Sequence, residues 1–124
     1  MKILIGQPKR EDGLSQLEDE LNNNPEVDII LFPEGYFKQD KIEQVCLMAN
    51  SHKTYIISGY RDKDNKDRAF IVNPLGNIVL ERAKTPENET LYTPSKVEDG
   101  GMKFGYLLCR EVFYAVKNRL QLSL

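Results

Sequence analysis

The sequence predicts an α/β fold in which a mixed β-sheet carries helices on one face. Short apolar runs alternate with segments of helical periodicity over the first sixty residues. Two further apolar runs follow, joined by the turn "NPLG" at residues 73–76. Strands that alternate with helices form largely parallel or mixed sheets, with the helices packed against them.

The first half of the chain predicts three strands and two helices. "KILIG" is a short apolar run that predicts the first strand, and "VDIILFPEG" predicts a buried parallel strand that ends at Pro33. "TYIISGY" predicts the third strand. Between them, apolar residues recur at helical spacing in two segments, the second at about residues 39–51. The two apolar stripes consist of Leu14, Leu17 and Leu21, and of Ile42, Val45, Cys46 and Ala49.

The second half predicts three more strands and a final helix. "RAFIVNPLGNIVLERAK" predicts two strands on either side of its turn. "MKFGYLLC" predicts the last strand, and "VFYAVKNRLQLSL" predicts a helix over residues 112–124. Because no linker-like change in composition divides the sequence, we expect residues 1–124 to form a single domain.

The composition excludes several classes of function. A net charge of −2 argues against binding to nucleic acid or to an acidic membrane surface. No apolar run approaches the roughly 20 residues of a membrane span, and the first residues do not form a secretory signal, so we expect a cytoplasmic protein. Two cysteines and one histidine, without a Cys-x-x-Cys pair, indicate free thiols and neither a metal site nor a cofactor.

Three reactive side chains follow three of the predicted strands. Glu34, Lys84 and Cys109 each stand where an apolar run ends, and open α/β sheets bind ligands beyond the carboxyl ends of their strands. A thiol needs a base to become a thiolate, and a carboxylate in a dry site can serve as that base. A fixed ammonium and the backbone N–H of Arg110 could stabilise the oxyanion of an acyl-transfer intermediate. Taken alone, each residue is more often structural: Cys109 a small core residue, Glu34 a loop residue and Lys84 a solvated charge.

The sequences around these residues resemble the nitrilase, or carbon–nitrogen hydrolase, superfamily. "IILFPEGYF" is similar to the first motif of the family, and "GNIVLERAK" is similar to the segment that ends in its catalytic lysine. "KFGYLLCREVFY" resembles the strand and elbow that hold its nucleophile. The resemblance covers essentially the whole chain and corresponds to the N-terminal half of the family fold. It implies half of an α-β-β-α sandwich.

The resemblance also implies roles for individual residues. Glu34 corresponds to the general base, Lys84 to the oxyanion stabiliser and Cys109 to the nucleophile. Glu89, in preference to Glu87, corresponds to a second glutamate that orients the lysine or the substrate. Glu111 matches an acidic position with a structural role, whereas Cys46 matches no motif and is expected in the core. Ala83 and Ser95 depart from the usual arginine and glycine of the family, which affects substrate positioning more than the triad.

The implied substrate is a small amide or nitrile, hydrolysed through a thioester at Cys109. Family members are longer, so we expect the chain to be C-terminally incomplete and to expose one face of its sheet. Such an apolar face is larger than monomers tolerate, which predicts a homodimer. Two alternatives remain: an inactive remnant that acts as an assembling or binding module, and a protein that uses Cys109 as an exposed redox thiol.

Overall fold

A mixed sheet of six strands forms the centre of the computed structural model, which describes residues 1–9, 13–86, 89–106 and 108. Five strands follow the order β1-β2-β4-β5-β6, and β3 pairs with β4 beyond the end of β2. β1, β2 and β4 run parallel to one another, whereas β5 runs antiparallel to both β4 and β6. The strands are β1 (Ile3–Ile5), β2 (Ile29–Leu31), β3 (Phe37–Lys38), β4 (Tyr55–Arg61), β5 (Asp67–Val72) and β6 (Ile78–Ala83).

The direction of the strands decides where the site can form. Because β5 is antiparallel to both of its neighbours, β6 points the same way as β1, β2 and β4. The carboxyl ends of these four strands therefore lie at one edge of the sheet. The prediction of a mixed α/β sheet is confirmed. The short strand β3 was not predicted, since two residues carry no periodic pattern.

Both described helices pack on one side of the sheet, which we call the helix face. They are α1 (Ser15–Asn23) and α2 (Ile42–His52), the latter preceded by the 3-10 turn Gln39–Lys41. Their predicted apolar stripes are confirmed, because Leu17 of α1 and Val45 of α2 are fully buried in the core against the sheet. The core on this face contains Leu17, Leu21, Ile30, Phe32, Phe37, Val45, Ala49, Ile56, Tyr60, Phe70 and Val72.

A β-hairpin lies on the opposite side of the sheet, which we call the hairpin face. Its strands β7 (Lys96–Asp99) and β8 (Met102–Gly105) are joined by Gly100 and Gly101, whose φ angles of +57° and +78° favour glycine. Phe104 of β8 packs on Tyr55 of β4 with ring centroids 5.1 Å apart. The Tyr55 hydroxyl also donates a hydrogen bond of 2.5 Å to the Asp99 carboxylate.

This hairpin corrects one detail of the sequence interpretation. A single strand over residues 102–109 was predicted, whereas β8 ends at Gly105 and pairs with the unpredicted β7. The dipeptide Gly100-Gly101 after Asp99 was the missed signal of a tight hairpin turn. The sheet face opposite the helices is thus partly covered by the chain itself.

Two side chains of the first strand are exposed on the hairpin face. Ile3 and Ile5 pair with Ile29 and Leu31 in register, so their side chains point to the same side of the sheet. Ile29 is buried in the core on that side, but Ile3 and Ile5 are 57% and 65% exposed. Among the described residues, no helix is long and apolar enough to cross a membrane. The predicted helix at 112–124 lies outside the described residues.

Candidate active site

The loop that carries Glu34 follows β2 and packs closely against β4. The Ser58 hydroxyl donates a hydrogen bond of 3.0 Å to the Pro33 carbonyl, and Gly35 adopts a φ of +67°. A Cβ atom at Gly59 would lie 3.3 Å from the Glu34 Cα and 2.6 Å from the Arg68 carbonyl oxygen. Glycine at position 59 is therefore what allows the loop to approach the strand so closely.

Lys84 follows β6 directly and reaches back toward this loop. Its backbone N–H donates to the Asp67 carbonyl at 2.8 Å, which extends the pairing of β5 with β6 by one residue. Its ammonium nitrogen lies 3.4 Å from the Glu34 Oε2 atom. The side chains of Lys84 and Glu34 are 18% and 33% exposed, so the pair is shielded from water on one side and open on the other. Two of the three predicted residues thus meet at the carboxyl edge of the sheet.

The third predicted residue, Cys109, lies outside the described residues, as does Arg110. Its described neighbour Leu108 is buried and lines a cleft of about 720 Å³ together with Glu34. The cleft is open to solvent, and most of its lining is apolar. The remaining lining residues are Ile5, Gly6, Gln7, Pro8, Leu31, Phe32, Pro33, Ile57, Gly105 and Tyr106.

Tyr106 holds the segment that leads to Cys109 against the main sheet. Its backbone N–H donates to the Ser95 carbonyl at 2.8 Å, and its hydroxyl donates to the Ser58 carbonyl at 2.6 Å. Ser58 therefore contacts both parts of the cleft, since its own hydroxyl binds the Pro33 carbonyl. One residue of β4 links the loop of Glu34 to the segment before Cys109.

Arg82 is a buried charge that the sequence interpretation missed. Only 3% of this residue is exposed, and its guanidinium donates to the carbonyls of Ala83 at 3.1 Å and of Tyr106 at 2.9 Å. Its position two residues before Lys84 on one strand was an available signal, because alternate residues share a face.

Glu89 and Cys46 lie away from the ion pair. Glu89 is exposed and accepts a hydrogen bond of 2.7 Å from the Tyr92 hydroxyl. It lines a surface cleft with Arg68 and Glu81, a different cleft from the one that Glu34 lines. Cys46 is half-buried in the stripe of α2, as predicted, and burial together with the charge of Glu81 raises the pKa of its thiol.

Comparison with known proteins identifies the fold of the chain. No family model matches the sequence, and no curated protein matches it. Among solved structures, 65 chains match. An amidase from Nesterenkonia sp. superposes with a TM-score of 0.70 at 14% identity, over 90% of this chain and 56% of that one.

Variants of the amidase from Nesterenkonia sp. AN1, a protein of the nitrilase superfamily, match equally well. One is in complex with butyramide and has a TM-score of 0.66 at 14% identity, over 86% of this chain and 55% of that one. Another shows covalent addition of the acetamide moiety of fluoroacetamide at the active-site cysteine. It has a TM-score of 0.72 at 14% identity, over 96% of this chain and 59% of that one.

The chain has a nitrilase-like fold. The resemblance inferred from three short motifs is thereby confirmed at the level of the backbone. The chain spans between 55% and 59% of the length of these three structures, which agrees with the expectation of a partial sandwich.

Proposed function

We propose that this chain performs carbon–nitrogen hydrolase chemistry, with Cys109 as the nucleophile that attacks a small amide or nitrile. The observation that carries the proposal is the Glu34–Lys84 pair, 3.4 Å apart, beside a cleft lined by Leu108, the residue before Cys109. Together with the thiol of Cys109, this carboxylate and ammonium would supply a nucleophile, a base and an oxyanion partner. The reaction needs no metal and no cofactor.

For an amide, the proposed reaction has two steps. Glu34 accepts the thiol proton of Cys109 as the sulfur attacks the carbonyl carbon, and Lys84 with the Arg110 N–H stabilises the oxyanion. The carbon–nitrogen bond then breaks, the nitrogen takes up the proton and leaves as ammonia, and a thioester remains on Cys109. Water, deprotonated by Glu34, attacks the thioester carbon, the carbon–sulfur bond breaks, and the carboxylic acid leaves while Glu34 returns the proton to the Cys109 sulfur. In this scheme Glu89 orients Lys84 or the substrate.

The lining of the cleft suggests the size and polarity of the substrate. Apolar side chains from three neighbouring strands, Ile5, Leu31 and Ile57, form its wall. Such a wall suits a short alkyl group and offers no cationic partner for a second charge. We therefore propose a small aliphatic amide. Because the thiol must stay reduced, the proposal also places the protein in the cytoplasm.

Acyl transfer to hydroxylamine tests this function. The purified chain should convert butyramide and hydroxylamine to the hydroxamic acid and ammonia, which a colorimetric assay detects. C109A should abolish the reaction, and C46A, the matched control on the helix face, should retain it. Wild-type protein that forms no hydroxamate would favour the alternative of a module that assembles or binds without catalysis.

We further propose that the chain forms a homodimer through the hairpin face. Ile3 and Ile5 are exposed on β1, a strand at the edge of the sheet, and an apolar edge of this kind favours association. Light scattering at micromolar concentration should give twice the mass of the chain, and the double variant I3K/I5K should give a monomer. A wild-type monomer would contradict the dimer.

A further inference from the structure

Arg82 joins the two segments on which the proposed chemistry depends. Its guanidinium donates to the carbonyl of Ala83, which immediately precedes Lys84, and to the carbonyl of Tyr106, three residues before Cys109. One planar group thus spans the end of β6 in the main sheet and the segment that follows β8 in the hairpin. Arginine suits this task because its fork of N–H donors can serve two acceptors at once.

Burial strengthens the hydrogen bonds that Arg82 donates to these two carbonyls. Arg82 is 3% exposed, so its hydrogen bonds do not compete with bulk water. Hydrogen bonds from a charged donor are also stronger than neutral ones. Tyr106 has two further anchors, from its N–H to the Ser95 carbonyl and from its hydroxyl to the Ser58 carbonyl. The hydrogen bond from Arg82 connects this residue to the strand of Lys84.

We propose that Arg82 is a positioning residue that sets the distance between Cys109 and the Glu34–Lys84 pair. The inference rests on the proposed role of Cys109 as nucleophile. Three residues span at most about 11 Å, so the position of Tyr106 limits where the Cys109 thiol can lie. Arg82 acts through the backbone carbonyl of Tyr106 and does not itself touch the reacting atoms.

Two reactions separate positioning from simple exposure of the thiol. In the acyl transfer from butyramide to hydroxylamine, the Cys109 sulfur attacks the amide carbonyl, ammonia leaves, and hydroxylamine then takes the acyl group from the thioester. This transfer needs Cys109 aligned with Glu34 and Lys84. Iodoacetamide carries a good leaving group and reports mainly on an accessible thiolate. Mass spectrometry gives the rate at each cysteine.

We expect R82K to lower the rate of hydroxamate formation by between about tenfold and a hundredfold, as small misplacements of reacting groups do. The iodoacetamide rate at Cys46 should stay unchanged, which reports an intact helix face. Because lysine keeps the positive charge, the pH dependence of Cys109 alkylation should keep its midpoint. R61K, at an exposed arginine paired with Asp67, is the matched control and should react as wild type.

The outcomes separate the two proposals. A wild-type chain that forms no hydroxamate overturns the proposed function and this inference together. An active wild type with an equally active R82K overturns the role of Arg82 alone. If R82K does not fold, R82Q decides, since its shorter amide cannot serve the carbonyls of both Ala83 and Tyr106 and should lower the same rate several-fold. An unchanged rate in R82Q then overturns the inference.

Discussion

The two faces of the main sheet are formed by the same strands but are packed differently. On the helix face, the rings of Phe32, Phe37 and Phe70 are at most 3% exposed and pack with α1 and α2 into a closed core. On the hairpin face, the two short strands that the structure describes cover only part of the sheet, and a cleft lies beside the Glu34–Lys84 pair. The comparison indicates that the helix face supplies most of the stability, and that the hairpin face borders the Glu34–Lys84 pair.

The largest expected effect comes from the helix face. F32A should lower the free energy of unfolding by about 3–5 kcal/mol, because Phe32 is buried and stacks on Tyr36 with ring centroids 4.3 Å apart. F104A, the same substitution on the hairpin face, should lower it by less, because Phe104 is 9% exposed and packs in the smaller core of that face. Urea unfolding measures both. Similar losses in the two variants would contradict the unequal contribution of the faces.

A smaller effect is expected at Gly59, where the loop of Glu34 touches β4. G59A should cost about 1–3 kcal/mol, because the new Cβ would meet the Arg68 carbonyl at 2.6 Å and the Glu34 Cα at 3.3 Å. It should also slow Cys109 labelling by displacing the loop. G13A is the matched control, since a Cβ there meets nothing within 4 Å. The idea fails if G59A labels and unfolds as wild type does.

The smallest effects concern alkaline pH and compare one tyrosine from each face. Burial, then hydrogen bonding to Glu81 at 2.5 Å, raises the pKa of Tyr60 from 10.0 to about 12. Burial, then Asp99, raises the pKa of Tyr55 from 10.0 to about 12. A raised pKa stabilises the folded, protonated form, so this contribution is complete below pH 10 and is lost as pH rises through about 12.

Thermal melting between pH 8 and pH 12 tests this effect. Wild-type protein should lose stability steeply above about pH 10, and Y60F or Y55F should each flatten that loss. Y92F is the control at an exposed tyrosine, where a hydrogen bond to Glu89 contributes little. A pH profile that is unchanged in both Y60F and Y55F would show that neither buried hydroxyl titrates with unfolding.

Much of the fold could be predicted from the sequence because its periodic patterns are strong. The stripes of α1 and α2 and the apolar runs of β2 and β4 each identify a type of element. The short β3 and the hairpin partner β7 were missed, since Phe37–Lys38 is too short for a pattern and Lys96–Asp99 is mostly charged. Tertiary pairing, which local sequence does not encode, forms both strands.

The candidate site could be predicted only where reactive residues follow strands. Glu34 and Lys84 met this condition, and the structure brings them together. Arg82 did not meet this condition, because it lies inside β6, and a charged residue inside a strand normally points to solvent. Its burial depends on the hairpin, whose Tyr106 carbonyl accepts its hydrogen bond. Glu89 stays a prediction, and Cys109 and Arg110 lie outside the described residues.

The most direct test of the difference between the helix face and the hairpin face is to compare the alkylation rates of the two cysteines in one sample. Limited iodoacetamide treatment at neutral pH, mapped by mass spectrometry, should modify Cys109 at least about tenfold faster than Cys46, whose thiol pKa is raised by burial. E34Q and K84M should each slow Cys109 and leave Cys46 unchanged. Equal modification of both cysteines, or preference for Cys46, would contradict a reactive thiol beside Glu34 and Lys84.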